Sequence, residues 1–600
     1  MARQPLSSAG RCMTLVRAGL IAGVTVAAVL FPVAAAIGVA SRTATKEYDK
    51  LPSDLSIVAS PQTSYIYASD GTTLITEFYA EDRKYTGLGD IAPFAQEAVI
   101  AAEDSRFFDH HGVDPRGAVR AFVANNQAGE VSQGASTLTM QFVRNQLRDS
   151  APDPQAVVDA TAQDAGRKAR EMKLAIDLEK KMTKQQILEG YLNVAYFGHR
   201  AYGIYAAAEI YFSKLPDQLT LTEAAMIAGM AQAPTTSDPV ADPAQALARR
   251  NYVIDRMAAI GYLSQPAATA AKAEPITLHL SNPPNDCASV PANHNDWGFF
   301  CDEFKQWWMQ QAAFGDSPLS RLDKLRTGGY RIVTSLDPKI QAAGMKHVLA
   351  DAPVTNKYAL GLVVVEPGTG LIKSMAVNRI YSLDQSKNLP STDPYKRAQK
   401  IKGNYPNTVG MLLGGGSGGY QAGSTFKMFT MLAALEKGMT LNTAIYAPQT
   451  LGTPYLTSPG GPSSCGVHWC PSNASAAMTG YQTMWSGFGK SVNTYWVQVE
   501  ERVGAAAAVE MAQRLGLTWH TEVDQNQAKP EHAGGWGSFT LGVADTTPLE
   551  MANAYATVAA DGRYCQPNPV VSITGTDGQP AMMAGPDGKG SVPVAAPRCT

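Results

Sequence analysis

Glu103-Asp104-Ser105-Arg106-Phe107-Phe108-Asp109-His110-His111-Gly112-Val113-Asp114 is the stretch on which the reading of this 600-residue chain turns. The residues before it, Phe94 to Ala102, carry apolar side chains at helical spacing, which predicts a helix that runs out at Glu103. Glu103 then sits over Val99 and Ile100 of the preceding turn. A helix C-terminus is partially negative and apolar neighbours disfavour ionisation, so both effects raise the pKa of Glu103 toward that of a general base. The bland alternative is a surface glutamate at a frayed helix end, paired with Arg106.

A second acid lies downstream. Glu171 is in phase with Leu174, Ala175, Leu178 and Met182, so its side chain faces an apolar stripe, with Arg167 four residues earlier on the same face. Taken plainly this is an i,i+4 ion pair worth a few tenths of a kcal/mol. Two carboxylates can also do acid/base work at a sugar, although spacing alone does not separate hydrolysis from transfer.

Around these acids the chain is organised in blocks. From Pro93 to about Ala233 it is Ala-rich and amphipathic, interrupted mainly at Ser132 to Thr137, which predicts a mostly helical domain. Before it, Ser64-Tyr65-Ile66-Tyr67 and the turn Asp70-Gly71 predict a small hairpin. After it, Pro234, Pro239 and Pro243 mark an exit into a Pro- and Asn-rich stretch. Strands are then predicted over Tyr330 to Ser335, Ala359 to Val365 and Leu371 to Val377, followed by mixed helix and strand. One of those helices is announced by Thr547-Pro548-Leu549-Glu550, with Thr as N-cap, Pro at N1 and Glu three on.

At the N-terminus no charge occurs from Ala18 to Ser41, and those 24 residues as a helix span about 36 Å, enough for a hydrocarbon core near 30 Å. Arg3, Arg11 and Arg17 precede it, so the positive-inside bias leaves the N-terminus cytoplasmic and the bulk of the chain outside. A cleaved signal peptide exports the remainder equally well, but its apolar core is normally shorter. Of seven cysteines, Cys12 precedes the anchor, and the other six fall where disulfides persist. Six cysteines allow fifteen connectivities; neighbouring positions favour Cys287–Cys301, Cys465–Cys470 and Cys565–Cys599. With 50 basic and 52 acidic side chains there is no basic excess for a nucleic-acid partner. A hydrophobic content of 45% gives the chain ample core-forming capacity.

A second chemical pattern appears at Gly423-Ser424-Thr425-Phe426-Lys427, leading into a helix through Phe429, Leu432 and Leu435. Spacing of three on a first turn brings the Lys427 amine to the Ser424 hydroxyl, and a neutral Lys can act as base. Alone the pattern is weak. Lys490-Ser491-Val492-Asn493 strengthens it by adding a hydroxyl and an amide in the order that penicillin-binding transpeptidases use. Gly415-Gly416-Ser417-Gly418-Gly419 fits the GxSxG form, but its glycine-rich surroundings read as flexibility. No HExxH, Walker or dinucleotide pattern is present.

Together with Gln133-Gly134-Ala135-Ser136-Thr137-Leu138-Thr139-Met140-Gln141, Arg167-Lys168-Ala169-Arg170-Glu171 and Ile187-Leu188-Glu189-Gly190-Tyr191-Leu192-Asn193, the opening stretch resembles the peptidoglycan glycosyltransferase domain of class A penicillin-binding proteins. Met140 departs from it, standing where many members have Gln. The resemblance implies a mainly-α lysozyme-like domain followed by an α/β penicillin-binding domain of the serine β-lactamase kind. It divides the chain into a cytoplasmic tail (1–17), anchor (18–41), membrane-proximal hairpin region (42–85), glycosyltransferase domain (86–240), linker (241–329) and transpeptidase domain (330–600). By that analogy Glu103 takes the proton of an acceptor sugar 4-hydroxyl during lipid II polymerisation, and Glu171 assists at the pyrophosphate. Asp104, Ser136, Thr137, Gln141, Arg167, Lys168 and Asn193 bind substrate. Ser424 is acylated by a stem peptide or a β-lactam, Lys427 takes its proton, Ser491 relays it and Asn493 holds the peptide amide. No cofactor is obligatory, and a divalent cation, magnesium or manganese, is admitted at the first site. The partners implied are lipid II, the growing glycan-lipid, stem peptides, β-lactams and the membrane; no protein partner is named.

One departure is large: the family's Lys-Thr-Gly element is not found after Asn493, and Arg326-Thr327-Gly328 precedes the nucleophile. The expectation is a transpeptidase domain left incomplete at Thr600. Two rival functions stand beside the bifunctional synthase: a monofunctional polymerase carrying a peptide- or β-lactam-binding module, and a lytic lysozyme-like glycosidase.

Overall fold

The computed structural model describes residues 51–600 except 53, 56, 118, 120–135, 152, 153, 163, 415, 417, 462 and 586–589. The predicted tail and anchor, Cys12, Gln133 to Ala135, and Gly415 and Ser417 of the GxSxG run lie outside the described residues. Among the described residues no helix is long and apolar enough to cross a membrane. The chain forms two compact units, one comprising Arg83–Ser281 with residues up to Ser60, the other Pro61–Asp82 with Asn282–Thr600.

The first unit is helical: α1 (Pro93–Glu103), α2 (Leu138–Asp149), α3 (Pro154–Thr161), α4 (Ala165–Leu178), α5 (Lys184–Val194), α6 (Gly203–Phe212), α7 (Leu221–Met230), α8 (Pro243–Ala259) and α9 (Gln265–Ala273). Side chains start several of them. Thr137 caps α2, and Thr183 with Gln186 and Thr220 with Glu223 form capping boxes on α5 and α7. Small residues let helices approach closely at the centre, where Ala225 and Ala228 of α7 are fully buried and α1 and α8 pack against that helix. Val253, Ile254 and Met257 of α8 and Ala268 and Ala271 of α9 belong to the same core. The segment expected as the start of a linker is therefore part of this unit through Ser281. Pro243 and Pro266 sit in the first turns of α8 and α9, where a missing N–H costs nothing, and the apolar stripe of the segment supplies core.

In the second unit β1 (Ser64–Tyr67) and β2 (Leu74–Phe78) form the expected hairpin, with Asp70 Oδ1 accepting from the backbone of Thr72 and Thr73 and Gly71 at φ +70°. The hairpin is not a separate membrane-proximal piece. β1 pairs in parallel with β3 (Arg331–Thr334), Tyr65 opposite Arg331, and β3 pairs with a C-terminal strand, Val570–Thr574, giving a four-stranded sheet. β4 (Gly361–Val365) and β5 (Ile372–Val377) make an antiparallel ribbon against which α10 (Pro338–Asp351) packs.

The nucleophile region follows. β6 (Tyr420–Gln421) leads into a 3-10 turn, Gly423–Phe426, then α11 (Lys427–Glu436). α13 (Asn493–Val503) and α14 (Ala505–Arg514) pack against α11, and α12 (Met484–Gly489) packs against α13. β6 pairs with Asp545–Thr546, so a strand and not a helix comes after the glycine run, which removes the hydrolase-elbow reading of GxSxG. The capping box before α15 (Pro548–Ala559) forms as predicted: Glu550 N donates to Thr547 Oγ1 at 3.1 Å, and Thr547 N to Glu550 Oε2 at 2.9 Å. The three expected disulfides, Cys287–Cys301, Cys465–Cys470 and Cys565–Cys599, are all present.

Candidate active sites

In the first unit Glu103 is the last residue of α1, where the apolar spacing placed it. Its Oε2 accepts a hydrogen bond from Gln141 Nε2 at 2.9 Å, and Gln141 Oε1 accepts one from Tyr191 Oη at 3.2 Å. Oε1 is buried and has no hydrogen-bond partner among the described residues. Burial pushes the carboxyl up, and the Asp104 charge adds to this. The Gln141 hydrogen bond and the Arg249 charge pull the other way without cancelling it.

Asp104 does something different from its neighbour. It is buried, its Oδ2 accepts from Leu138 N at 3.0 Å and lies 2.9 Å from His110 Nε2, so it ties the start of α2 to the end of α1. Thr137 is buried too: its hydroxyl donates to Gly112 O at 2.6 Å and accepts from Met140 N at 3.2 Å. Gly112, at φ +86°, lets that loop lie against α4; a Cβ there would sit 2.7 Å from the Ala175 backbone. Asn193 clamps the chain at Thr86, accepting from its N–H and donating to its C=O, each at 2.8 Å, and donating to Glu189 O. Asp104 through Oδ2, Thr137 through its hydroxyl and Asn193 through its amide thus each hold the backbone around the site. Ser136 is half-buried beside Thr137, and Met140 is core, 1% exposed.

Glu171 lies on α4, fully buried. Arg144 of α2 grips it with Nε to Oε1 at 2.7 Å and Nη2 to Oε2 at 3.2 Å, and Arg167 Nη1 also donates to Oε1. The Arg167 contact is the predicted i,i+4 pair; Arg144 went unread. Its position three residues after Gln141, on the same face of α2, was the available signal. Arg167 Nε is buried with no partner among the described residues, and Lys168 is half-buried on the same helix. Two guanidiniums occupy the carboxylate lone pairs that a divalent cation would need, and no group of three His, Cys, Asp or Glu side chains among the described residues is arranged to hold one. This donor set fits an anion and not a metal ion.

The second unit brings together all four residues predicted for it. In a 3-10 turn residues three apart eclipse, which sets Ser424 directly before Lys427 at the head of α11. Lys427 Nζ lies 3.0 Å from Ser424 Oγ, 3.0 Å from Ser491 Oγ, 2.8 Å from Ser491 O and 2.7 Å from Asn493 Oδ1. Lys427 is 1% exposed, and that burial lowers its amine from 10.5 to about 8. Ser491 is held at φ +57°, an uncommon conformation for a residue with a side chain, and it turns both Oγ and C=O onto one amine. Asn493 Nδ2 donates to Ser472 O at 3.0 Å, which fixes its carbonyl toward Lys427.

Residues 71–258 match the family described as Transglycosylase, and residues 360–594 match the Penicillin binding protein transpeptidase domain. The chain belongs to the class A penicillin-binding proteins. It has a helical transglycosylase domain followed by an α/β transpeptidase domain. Among its relatives it is 28% identical to penicillin-binding protein 1A of Haemophilus influenzae, over 88% of this chain and 64% of that protein. It is 29% identical to penicillin-binding protein 1A of Escherichia coli, over 89% of this chain and 67% of that protein. Against penicillin-binding protein 1A of Mycobacterium tuberculosis the identity is 30%, over 86% of this chain and 56% of that protein. The chain thus spans about two thirds or less of the length of these relatives.

Proposed function

We propose that this protein is a bifunctional, extracytoplasmic, membrane-anchored peptidoglycan synthase that polymerises lipid II and crosslinks stem peptides. The observation that carries the reading is that each unit holds a buried group suited to accept a proton: Glu103, whose Oε1 has no partner among the described residues, and Lys427 with its lowered amine against Ser424.

At the first site Glu103 Oε1 takes the proton of the acceptor sugar 4-hydroxyl as that oxygen attacks the anomeric carbon of the lipid-linked glycan, and undecaprenyl pyrophosphate leaves. Glu171 orients Arg144 and Arg167, whose remaining N–H groups neutralise the departing pyrophosphate; Arg167 Nε has no partner among the described residues. At the second site Lys427 takes the Ser424 proton as Oγ attacks the carbonyl of the penultimate D-Ala. The terminal D-Ala departs with a proton relayed through Ser491, and Asn493 holds the peptide amide. A β-lactam acylates the same oxygen. The three disulfides favour the oxidising side of the membrane.

The test uses lipid II and finished murein as separate substrates, with glycan products resolved on a gel, and a labelled penicillin for Ser424. Chain growth from lipid II that disappears in Glu103→Gln, together with labelling that disappears in Ser424→Ala, is expected. Shortening of murein without growth from lipid II makes the first unit lytic. Growth without any labelling leaves a monofunctional polymerase.

A further inference from the structure

Glu500 is an acid with no part in the chemistry above, buried in the second unit. It lies on α13 seven residues after Asn493, on the same helical face. Its Oε1 accepts from Thr540 N at 3.2 Å, and Oε2 has no partner among the described residues. Thr540 belongs to a 3-10 turn, Phe539–Leu541. Its Oγ1 accepts from Thr430 Oγ1 at 2.8 Å, and Thr430 stands one turn after Lys427 on α11. The same 3-10 turn is pressed onto the nucleophile segment. Gly423 N donates to Gly542 O at 3.0 Å, a Cβ on Gly542 would meet Gly423 O at 1.9 Å, and the Phe539 and Phe426 rings lie 5.2 Å apart.

These contacts close a ring. It runs from Ser424 through Lys427 and Thr430 to Thr540, across to Glu500, back along α13 to Asn493 and Ser491, and from both of these to Lys427 Nζ. On the reading that Ser424 is the acylated nucleophile, we infer that Glu500 is a positioning residue: by accepting from Thr540 it sets α13 against the Ser424–Lys427 turn and so fixes where Ser491 and Asn493 meet the amine.

Burial pushes the Glu500 carboxyl up and Glu501 adds to it, against the Thr540 N–H, so the balance favours the neutral form. A neutral acceptor can be replaced by an amide of the same shape. As mere filling, a carboxyl at this position is a poor choice, since burying its unmet oxygen costs free energy that an apolar side chain of similar volume would not.

The experiment follows acylation of the full chain by a labelled penicillin, separating the binding constant from the first-order acylation rate, with circular dichroism to establish folding. Glu500→Gln is expected to acylate within about threefold of wild type, while Glu500→Met folds, binds penicillin comparably and acylates about tenfold slower or worse, the kinetic equivalent of one lost hydrogen bond. A folded Glu500→Met with the wild-type acylation rate overturns the inference, and so does a Glu500→Gln as impaired as Glu500→Met. If Glu500→Met does not fold, the Thr430→Val/Thr540→Val double variant cuts the ring at its link to α11 while Thr540 N stays on Glu500: slowed acylation supports the inference that this ring positions the amine, and an unchanged rate overturns it. Wild type that takes no label defeats the transpeptidase reading itself, and the inference falls with it.

Discussion

The sharpest consequence of the second site concerns pH. Lys427 loses its water on burial, and its amine falls from 10.5 to about 8. At pH 7 about one-tenth of such an amine is neutral, against roughly one part in three thousand at the ordinary value, a gain of about 300-fold in available base. The second-order rate of Ser424 acylation by a labelled penicillin is therefore expected to rise about tenfold per pH unit below about pH 8 and to level off above it. Removing the base in Lys427→Met should cost about 10²- to 10⁴-fold. The same shift bears on stability with a definite sign. Below pH 8 the amine is protonated in both states, and the folded chain carries a buried charge. Between about 8 and 10.5 the unfolded chain binds one more proton than the folded chain, so stability rises with pH across that window, by about 3 kcal/mol from this group alone. Urea unfolding of wild type and Lys427→Met should then differ most at neutral pH, with the variant the more stable, and converge toward pH 10.5. A flat acylation profile from pH 6 to 10, or a midpoint near 10.5, refutes the assignment of Lys427 as the base.

Other consequences can be checked separately. Glu103→Gln should lower glycan polymerisation from lipid II by about 10²- to 10⁴-fold while leaving Ser424 labelling intact, and the acidic limb of the wild-type profile should lie above the ordinary 4.5 of a glutamate because burial raises this carboxyl. Arg144→Ala leaves Glu171 buried with one guanidinium, and a loss of about 3–5 kcal/mol from the first unit is expected in thermal or urea unfolding. Asn193→Ala removes both hydrogen bonds to Thr86 and should cost about 1–3 kcal/mol in urea unfolding, with polymerisation per folded molecule retained; a folded but inactive variant would put Asn193 back on the substrate.

What the sequence disclosed depended on how far apart the interacting residues lie. Glu103 at the end of α1 and the Arg167–Glu171 pair follow from helical phase within a dozen residues, and the capping box at Thr547 is spelled out in four. Ser424 and Lys427 were legible for the same reason. Short separations also made the disulfides readable, at 14, 5 and 34 residues. Contacts between elements were not readable. Arg144 reaches Glu171 from another helix, and nothing in periodicity says which cation crosses. Ser64–Tyr67 is legible as a strand from its alternation, yet its parallel partner begins at Arg331, more than 260 residues away, which periodicity does not disclose. Proline punctuation suggested a linker after residue 240, whereas Val253, Ile254 and Met257 give that stretch a core face. Asp104, Thr137 and Asn193 show a further limit: a motif marks residues that a site needs without saying whether they touch substrate or hold the chain that does.

The two acids of the first unit separate on this ground. Both were placed by the same helical arithmetic, and each is taken from water, but the protein treats them oppositely. Glu171 receives three charge-assisted hydrogen bonds from two guanidiniums, and each of its oxygens is engaged. An oxygen so occupied is a poor acceptor for a sugar proton, and its effect is to hold two cations in fixed orientation. Glu103 receives one neutral hydrogen bond on Oε2, and Oε1 is buried with no partner among the described residues, so burial and the Asp104 charge outweigh the Gln141 hydrogen bond and the Arg249 charge and a proton is favoured there. In the proposed transfer this puts the base on Glu103 and the leaving-group side on the arginines that Glu171 anchors. The distinction can be measured. Glu171→Gln should loosen Arg144 and Arg167 and weaken binding of the pyrophosphate-bearing donor, whereas Glu103→Gln should leave donor binding intact and stop the chemistry. Equal loss of donor affinity in the two variants would contradict that division.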